Sequence, residues 1–491
     1  MDFKSITEAV QPFLCGSQGR KNDITGIAYD SRKVEPGYAF VAIPGEQADG
    51  HDFINDAIAR GAAVILAERE LDLPADVGLV RVRDSRRALA ALSAAYFGHP
   101  DEKMRLIGVT GTNGKTTTTN LIKYLLERAG HKSGLVGTLG AKAGDEQLPE
   151  LLSASTTPES LELFALFDKM AAKGCDHAVI EASSHALQQG RTSACHFAGA
   201  VFTNLTQDHL DYHKTMEDYV QAKIILFSML EDFAYGVVNL DDRYAPDFIR
   251  ACRCPLVTFG EAEQADLRLL HYSASMSGMD YTVRFEDRNF DVHIPLIGRF
   301  NIYNSLAAVG AALAEGLDMD DIVAWLAEAP QAPGRFELID EGQDFAVVVD
   351  YAHTPDGLEN LLRAARSLKP RRLITVFGCG GDRDSDKRPQ MGRIAGHYSD
   401  VAVLTSDNPR SEDPQRILDM IEAGIKEVDN NYLVEEKRDR AISLALNMAQ
   451  TGDIVVIAGK GHEDYQLVDG VKHHFDDREQ ARQVLRARLR K

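Results

Sequence analysis

No part of this chain supplies the ~20 consecutive apolar residues that a bilayer-spanning helix needs, so membrane insertion is not expected. Its opening residues, Met1-Asp2-Phe3-Lys4-Ser5, show neither the basic start nor the apolar run of an export signal. Cysteine is scarce, with six among 491 residues, and only Cys252 and Cys254 stand close together. Without further Cys or His at metal-ligand intervals, that pair reads as incidental rather than as half of a zinc site. Reduced thiols in a cytoplasm are the expectation. Positive charge is also in deficit: 54 Lys and Arg face 74 Asp and Glu, for a net charge of −20. Such a surface repels nucleic acid and anionic membranes, so any phosphate must be held by a local site. Internal repeats and low-complexity tracts are absent.

What is present is a folded-protein balance of 44% hydrophobic and 26% charged residues. The length exceeds one hydrophobic core and suits three domains. Residues 1–99 read as a small α/β module, with strand-like Tyr38 to Ile43 and Ala62 to Ala67 and a helix from Arg86 to Phe97 before the stop Gly98-His99-Pro100. Residues 100–333 alternate short apolar runs (Leu106–Val109, Ala178–Ile180, Ala200–Phe202, Gly236–Val238) with helix-length segments, as in a mostly parallel sheet covered on both faces. Residues 334–491 repeat the pattern at Phe345–Val349, Leu373–Phe377, Val401–Leu404 and Ile454–Ile457, which predicts a second doubly wound sheet.

The most informative segment is Gly108-Val109-Thr110-Gly111-Thr112-Asn113-Gly114-Lys115-Thr116-Thr117. An apolar strand enters a glycine-rich turn, and a helix-compatible stretch follows. Glycines let main-chain N–H groups curl around phosphate oxygens, and the helix start adds partial positive charge. Lys115 is placed to reach the β- and γ-phosphates, and Thr116 to put a hydroxyl on Mg2+. The spacing departs from G-x-x-x-x-G-K-[ST], because Val109 stands at the first glycine position. Glu181 closes the strand Ala178-Val179-Ile180 and, beside such a loop, is read as a magnesium ligand.

Gly111 to Thr117 resembles the ATP loop of the Mur ligases, which build the peptide stem of the bacterial cell wall. Further segments resemble that family in the same order: Glu181-Ala182-Ser183-Ser184-His185, Asn204 to Asp211, Gly298 to Asn304, Pro333-Gly334-Arg335-Phe336-Glu337 and Asp350-Tyr351-Ala352-His353. The resemblance spans essentially the whole chain. It implies a three-domain α/β architecture: a UDP-binding module (1–99), a central P-loop ATPase-like parallel sheet (100–333) and a Rossmann-like amino-acid-binding domain (334–491). It implies ATP and two Mg2+ ions, with Thr116 and Glu181 on one metal and His209 near the second. Gly111, Thr112, Asn113, Gly114, Lys115, Thr116 and Thr117, with Asn304, Arg335 and Asp350, are the implied ATP contacts. Lys223 stands where the family carries a carbamylated lysine; taken alone, it reads as a helical lysine reaching out from an amphipathic face. Lys115, Lys223 and His209 are the implied catalytic groups.

For substrates, Tyr29 to Val34 and Gly45 to His51 resemble the UDP module of the branch that adds the third amino acid, with Ser31, Glu46, Gln47 and Ala48 as contacts. Ser155, Thr156, Thr157, Ser183, Gln189 and Arg191 match positions that grip the UDP-muramoyl dipeptide, although the family often carries Asn where this chain has Ser155. Asp407-Asn408-Pro409-Arg410 resembles the motif of members selecting meso-diaminopimelate, joined by Arg383, Gly459 and Glu463. Diaminopimelate is lysine with a second carboxylate, and a planar guanidinium can hold that group bidentately. The implied reaction is ATP-dependent ligation of meso-diaminopimelate to the D-Glu γ-carboxylate of UDP-MurNAc-L-Ala-D-Glu through an acyl phosphate. The same scaffold adding lysine or another amino acid, a non-catalytic nucleotide-binding scaffold and a P-loop regulator of a protein partner are the alternatives. A monomer acting on small molecules in a bacterial cytoplasm is expected.

Overall fold

The computed structural model describes residues 1–19, 23–45, 48–149, 155–428 and 431–490. Three sheets organise it. In the first, the strands run in spatial order Leu14–Gln18, Gly78–Val82, Val64–Ala67, Tyr38–Val41, Gly26–Ala28. All neighbours are parallel except the first pair. The helix Ser85–Tyr96 lies against this sheet and starts where the Asp84 carboxylate accepts from Arg87 N–H.

The central sheet has 11 strands. Its parallel core sets Tyr235–Asn239, Phe197–Phe202, Arg105–Thr110, His177–Glu181 and Ser133–Gly137 side by side. These strands are buried along nearly their whole length, which is why they read as continuous apolar runs. Alternation sends Leu106 to one face and Ile107 and Val109 to the other, each with its own hydrophobic cluster. Antiparallel strands extend both edges: Gly140–Ala143 and Glu146–Gln147 on one side, Leu267–Ser275, Gly278–Phe285 and Arg288–Ile294 on the other. The third sheet orders Glu337–Leu338, Ala346–Asp350, Ile454–Ala458, Leu373–Phe377, Val401–Leu404 and Tyr432–Val434, parallel after the first pair.

This topology fixes where chemistry can occur. Arg105–Thr110 lies between His177–Glu181 and Phe197–Phe202, with Val109 level with Glu181 and Thr110 level with Phe202. The carboxyl ends of these strands therefore deliver Gly111–Gly114, Glu181 and Thr203 to one edge, where open α/β sheets bind ligands. No described helix is long and apolar enough to cross a membrane.

Candidate active site

Beyond strand Arg105–Thr110 the chain turns through Gly111 (φ 150°) and Gly114 (φ 87°) into helix Lys115–Arg128. Both glycines are required sterically. A Cβ on Gly111 would stand 2.0 Å from Thr203 Oγ1, and one on Gly114 would stand 2.2 Å from Asn304 Oδ1. The loop is held from outside: Asn113 N donates to Asn204 Oδ1 (3.0 Å), Thr203 Oγ1 to Asn113 O (2.7 Å) and Asn204 Nδ2 to Asn113 O (3.1 Å). Thr112 Oγ1 meets the Tyr219 hydroxyl at 3.1 Å. Helix Lys115–Arg128 has no side-chain cap, so its first N–H groups face the loop.

Cations and carboxylates gather around this loop. Lys115 Nζ donates to Gly111 O and Thr112 O at 2.8 and 2.9 Å, and burial pushes its pKa down. Thr116 Oγ1 donates to Glu181 Oε2 at 3.1 Å, and Thr138 holds the same carboxylate through N–H (2.9 Å) and hydroxyl (3.0 Å). Arg335, from the segment preceding the third sheet, reaches Thr116 Oγ1 at 3.2 Å and lies 4.5 Å from the Tyr351 ring centroid. Asp350 anchors that arm, accepting from Phe336 N (2.6 Å) and Ala352 N (2.7 Å). Burial raises its pKa, against Arg335 and those two donors.

Lys223 is the most unusual group. It projects from helix Met216–Ser228, is 1% exposed, and donates to Gly111 O at 2.7 Å. Its ammonium lies 4.6 Å from the Tyr219 ring centroid. Burial first, and then the nearby Lys115 charge, drive its pKa well below the ordinary lysine value. It does not reach outward from an amphipathic face. His209 adopts a left-handed conformation (φ 54°) and lies 3.3 Å from Asp208 and 4.9 Å, between ring centroids, from His185. Burial lowers its pKa to about 4 despite the Asp208 charge.

A cleft of about 930 Å³ is bordered by Thr112–Thr117, Thr156, Glu181, Asp208, His209, Asn304, Arg335 and Asp350, and Lys223 does not line it. A polar chain leads from it toward the first sheet. Thr157 Oγ1 donates to Glu181 O (2.7 Å), and Arg191 donates to Thr157 O (2.7 Å) and contacts Glu159 (3.0 Å). Arg86 then links Glu159 (3.2 Å) to Pro44 O (3.5 Å), while Gln189 pairs with Arg191 and Ser183 with Thr157. Ser155 is exposed beside Thr156, buried Ser31 starts a turn capped by Asp30 whose Arg32 and Lys33 are exposed, and Ala48 O accepts from Gly45 N. Glu46 and Gln47 lie outside the described residues.

The residues expected to hold the amino acid form a separate cluster and do not border the cleft. Arg410, left-handed at φ 54°, donates to Gly381 O at 2.6 Å, and Gly381 N donates to Asn408 O at 2.9 Å. The loop bearing exposed Arg383 is thereby docked on the turn of Asp407, Asn408 and Pro409. Asn408 donates to Glu463 Oε2 (2.9 Å) and accepts from Leu467 N (2.9 Å) and the fully buried Lys460 (3.2 Å). Asp407 Oδ2 is buried without a partner and faces Gly459, whose Cβ would stand 2.5 Å away. A seam joins cluster and cleft: Gly459 N donates to Asp350 O (3.0 Å), and a Cβ on Gly334 would stand 2.1 Å from His462 N.

Sequence reasoning gave no role to Asn204, Thr203, Thr138, Tyr219, Asp356 or Lys460. Asn204 opens the Asn204–Asp211 segment already singled out, and Asp356 follows the Asp350–His353 segment closely. The others are ordinary residue types made specific only by tertiary contact.

A glycine-cradled helix start, a strand-end carboxylate and an arginine from the next sheet together define a three-domain enzyme of nucleotide-dependent phosphoryl chemistry. Family models match in sequence order: "Mur ligase family, catalytic domain" over residues 23–97, "Mur ligase middle domain" over 109–312 and "Mur ligase, glutamate ligase domain" over 334–461. The chain is 48% identical over 471 residues to the UDP-N-acetylmuramoyl-L-alanyl-D-glutamate–2,6-diaminopimelate ligase of Syntrophomonas wolfei, covering 95% of this chain and 96% of the relative. It is 46% identical over 476 residues to the protein of the same name from Geobacillus kaustophilus, covering 96% of each. A solved ligase of that name aligns with TM-score 0.68 and 36% identity over 95% of each chain. The MurF ligase of Thermotoga maritima in complex with ADP shares the fold, with TM-score 0.64 at 20% identity over 96% of this chain and 98% of that one. The chain belongs to the Mur ligase family, and it is an ATP-dependent, C–N bond-forming ligase of peptidoglycan precursor synthesis. Mur ligases use ATP and Mg2+, and the oxygen donors of Thr116 and Glu181 suit a hard cation.

Proposed function

We propose that this ligase joins meso-diaminopimelate to the D-Glu γ-carboxylate of UDP-MurNAc-L-Ala-D-Glu, as the names of its relatives indicate for those proteins. The observation that carries the reading is Arg410, presented from a left-handed turn and braced against Gly381 O. A guanidinium so fixed offers its remaining donors to a second carboxylate, which diaminopimelate has and lysine lacks. Residues 1–99 take the UDP end through Ser31 and the 46–48 loop. Residues 100–333 take ATP through Gly111–Thr117 and Asn304. Residues 334–491 take the amino acid through Arg383, Asp407–Arg410, Gly459 and Glu463.

The chemistry follows from charge. A carboxylate oxygen attacks the γ-phosphorus, ADP leaves, and the amine, having lost a proton, attacks the acyl phosphate and expels phosphate. Lys115 and Arg335 approach the transferring group from two sides, and Arg335 does so only when the domains meet. Thr116 and Glu181 would hold one Mg2+, which would neutralise phosphate charge, and His209 would serve a second. Lys223 acts as its carbamate: CO2 adds only to a neutral amine, and the burial of Lys223 favours that form. The carbamate nitrogen would keep one N–H for Gly111 O, and its carboxylate would supply an anionic ligand for a metal ion. The enzyme works as a cytoplasmic monomer.

Phosphate release from ATP and UDP-MurNAc-L-Ala-D-Glu, with meso-diaminopimelate or L-lysine supplied in parallel, tests this reading. Release and tripeptide with diaminopimelate alone are expected. Product with lysine instead would overturn the specificity, and no stimulation by either amine would overturn the reaction.

A further inference from the structure

At the opposite end of the central sheet from the cleft lies a cluster with no part in this chemistry. We propose that His131, Asp176 and His177 form a binding site for a divalent transition ion of the zinc class. His131 follows helix Lys115–Arg128, and His177 opens the strand that ends in Glu181. The two histidines converge on one carboxylate: His131 Nδ1 lies 2.9 Å from Asp176 Oδ2, and His177 Nδ1 lies 2.9 Å from Asp176 Oδ1. One ligand atom from each of the three falls within 4.8 Å of the other two. A tetrahedral ion with bonds of about 2.0–2.2 Å sets its ligand atoms about 3.3–3.5 Å apart. The two 2.9 Å contacts must lengthen by a few tenths of an ångström to reach that spacing, and two of the side chains are free to adjust. Asp176 and His131 are 54% and 38% exposed, whereas His177 is 4% exposed and fixed.

The fixing of His177 is the second, independent observation. Its Nε2 faces Glu315 Oε2 at 3.4 Å, and Glu315 is buried and gripped by Arg105 at 2.5 and 3.2 Å. A histidine that gives its far N–H to a buried carboxylate turns the lone pair of its near nitrogen outward, the arrangement that orients metal-bound imidazoles. Two imidazoles and one carboxylate select zinc, cobalt or nickel over magnesium or calcium, which prefer oxygen. The exposed side leaves a fourth position to water. The ion replaces the protons that otherwise bind the rings to Asp176. It then staples the end of the loop-bearing helix to the strand that carries Glu181.

The experiment uses the full chain, freed of metal by chelation and titrated with Co2+ in the presence of excess Mg2+. One saturable equivalent is expected, with visible absorption of four-coordinate intensity, displaced stoichiometrically by Zn2+ and accompanied by a higher unfolding temperature. H131A should abolish it while keeping the fold and ligase turnover, because the side chain is half-exposed. E315Q should weaken it by about 10–100-fold. H474A, which alters a histidine paired with Glu479 at 2.8 Å elsewhere on the surface, should leave it unchanged. Equal cobalt binding by wild type and H131A, or no saturable binding by wild type at micromolar cobalt, would overturn the assignment.

Discussion

Asp356 reaches from the C-terminal domain to the nucleotide loop, and its Oδ2 accepts from Asn113 Nδ2 at 2.6 Å and from Thr206 Oγ1 at 3.3 Å. This is a direct tie between the phosphate cradle and the domain proposed to carry the amine. A hydrogen bond to a charged group contributes about 1.5–3 kcal/mol net. Asp356 is only half-buried and its contact with Thr206 is long, so the short bond to Asn113 dominates and the lower end of that range applies. A coupling of about 1.5–2 kcal/mol corresponds to about 10–30-fold in the equilibrium that brings the domains together. N113A and D356A should therefore each lower kcat/KM for ATP by about that factor. The double variant should lose little more than either single one, because both remove the same bond. Phosphate release at varied ATP, with the other substrates saturating, measures all four corners of the cycle. Any separate contact of Asn113 with ATP cancels in the comparison. If the single effects instead multiply, to within about 0.5 kcal/mol, the bond does not couple the domains and the argument fails.

Three further outcomes are expected. Arg410→Lys should reduce kcat/KM for diaminopimelate by about 10–100-fold through loss of the bidentate geometry, with KM for ATP unchanged; equal amino-acid kinetics would remove Arg410 from the pocket. Lys223→Ala should lower turnover by roughly 10²–10³-fold, and added short carboxylic acids should partly restore it by supplying the missing anion. Normal turnover by that variant would exclude a catalytic carbamate. Asp477→Asn should cost about 3–5 kcal/mol in urea unfolding of the C-terminal domain, because its fully buried pair with Arg438, at 2.6–2.7 Å, would leave an uncompensated guanidinium. A loss below 1 kcal/mol by that assay, roughly the worth of an exposed pair, would contradict the burial argument.

The parallel strands were legible because burial on both faces forces continuous apolar runs. Leu373–Phe377 and Val401–Leu404 coincide with the apolar runs of the sequence. The three antiparallel strands from Leu267 to Ile294 were not, since Leu267–Ser275 is buried at one end and exposed through His271, Tyr272 and Ser273. The hairpin Tyr465–Val468 with Val471–His474 carries a hairpin turn signal in Asp469-Gly470, but its second strand is wholly exposed, so neither strand shows the alternation of a half-buried sheet. Around the nucleotide loop, the glycines and Lys115 announce themselves through local chemistry. Lys223 does not, because its burial depends on Gly111 and Tyr219, and Gly111 lies 112 residues away in the chain. Asn113 and Asp356 are 243 residues apart, a distance no local pattern spans. The separation of the amino-acid cluster from the cleft is likewise a property of how the third sheet is placed, which spacing along the chain does not encode.

The seam between Asp350 and Gly459 has a consequence for divergence and for inhibition. On one side lie the groups around the nucleotide loop, and on the other lie those proposed to choose the amine, joined by main-chain contacts such as Gly459 N to Asp350 O. On the proposed assignment, changes in the turn at 407–410 would retune the choice of amine while the phosphate-handling groups keep their positions. A compound lodged in the cleft would meet features shared across relatives of different preference. One lodged against Arg410 and Glu463 would tell them apart, and a molecule long enough to cross the seam would combine reach with discrimination.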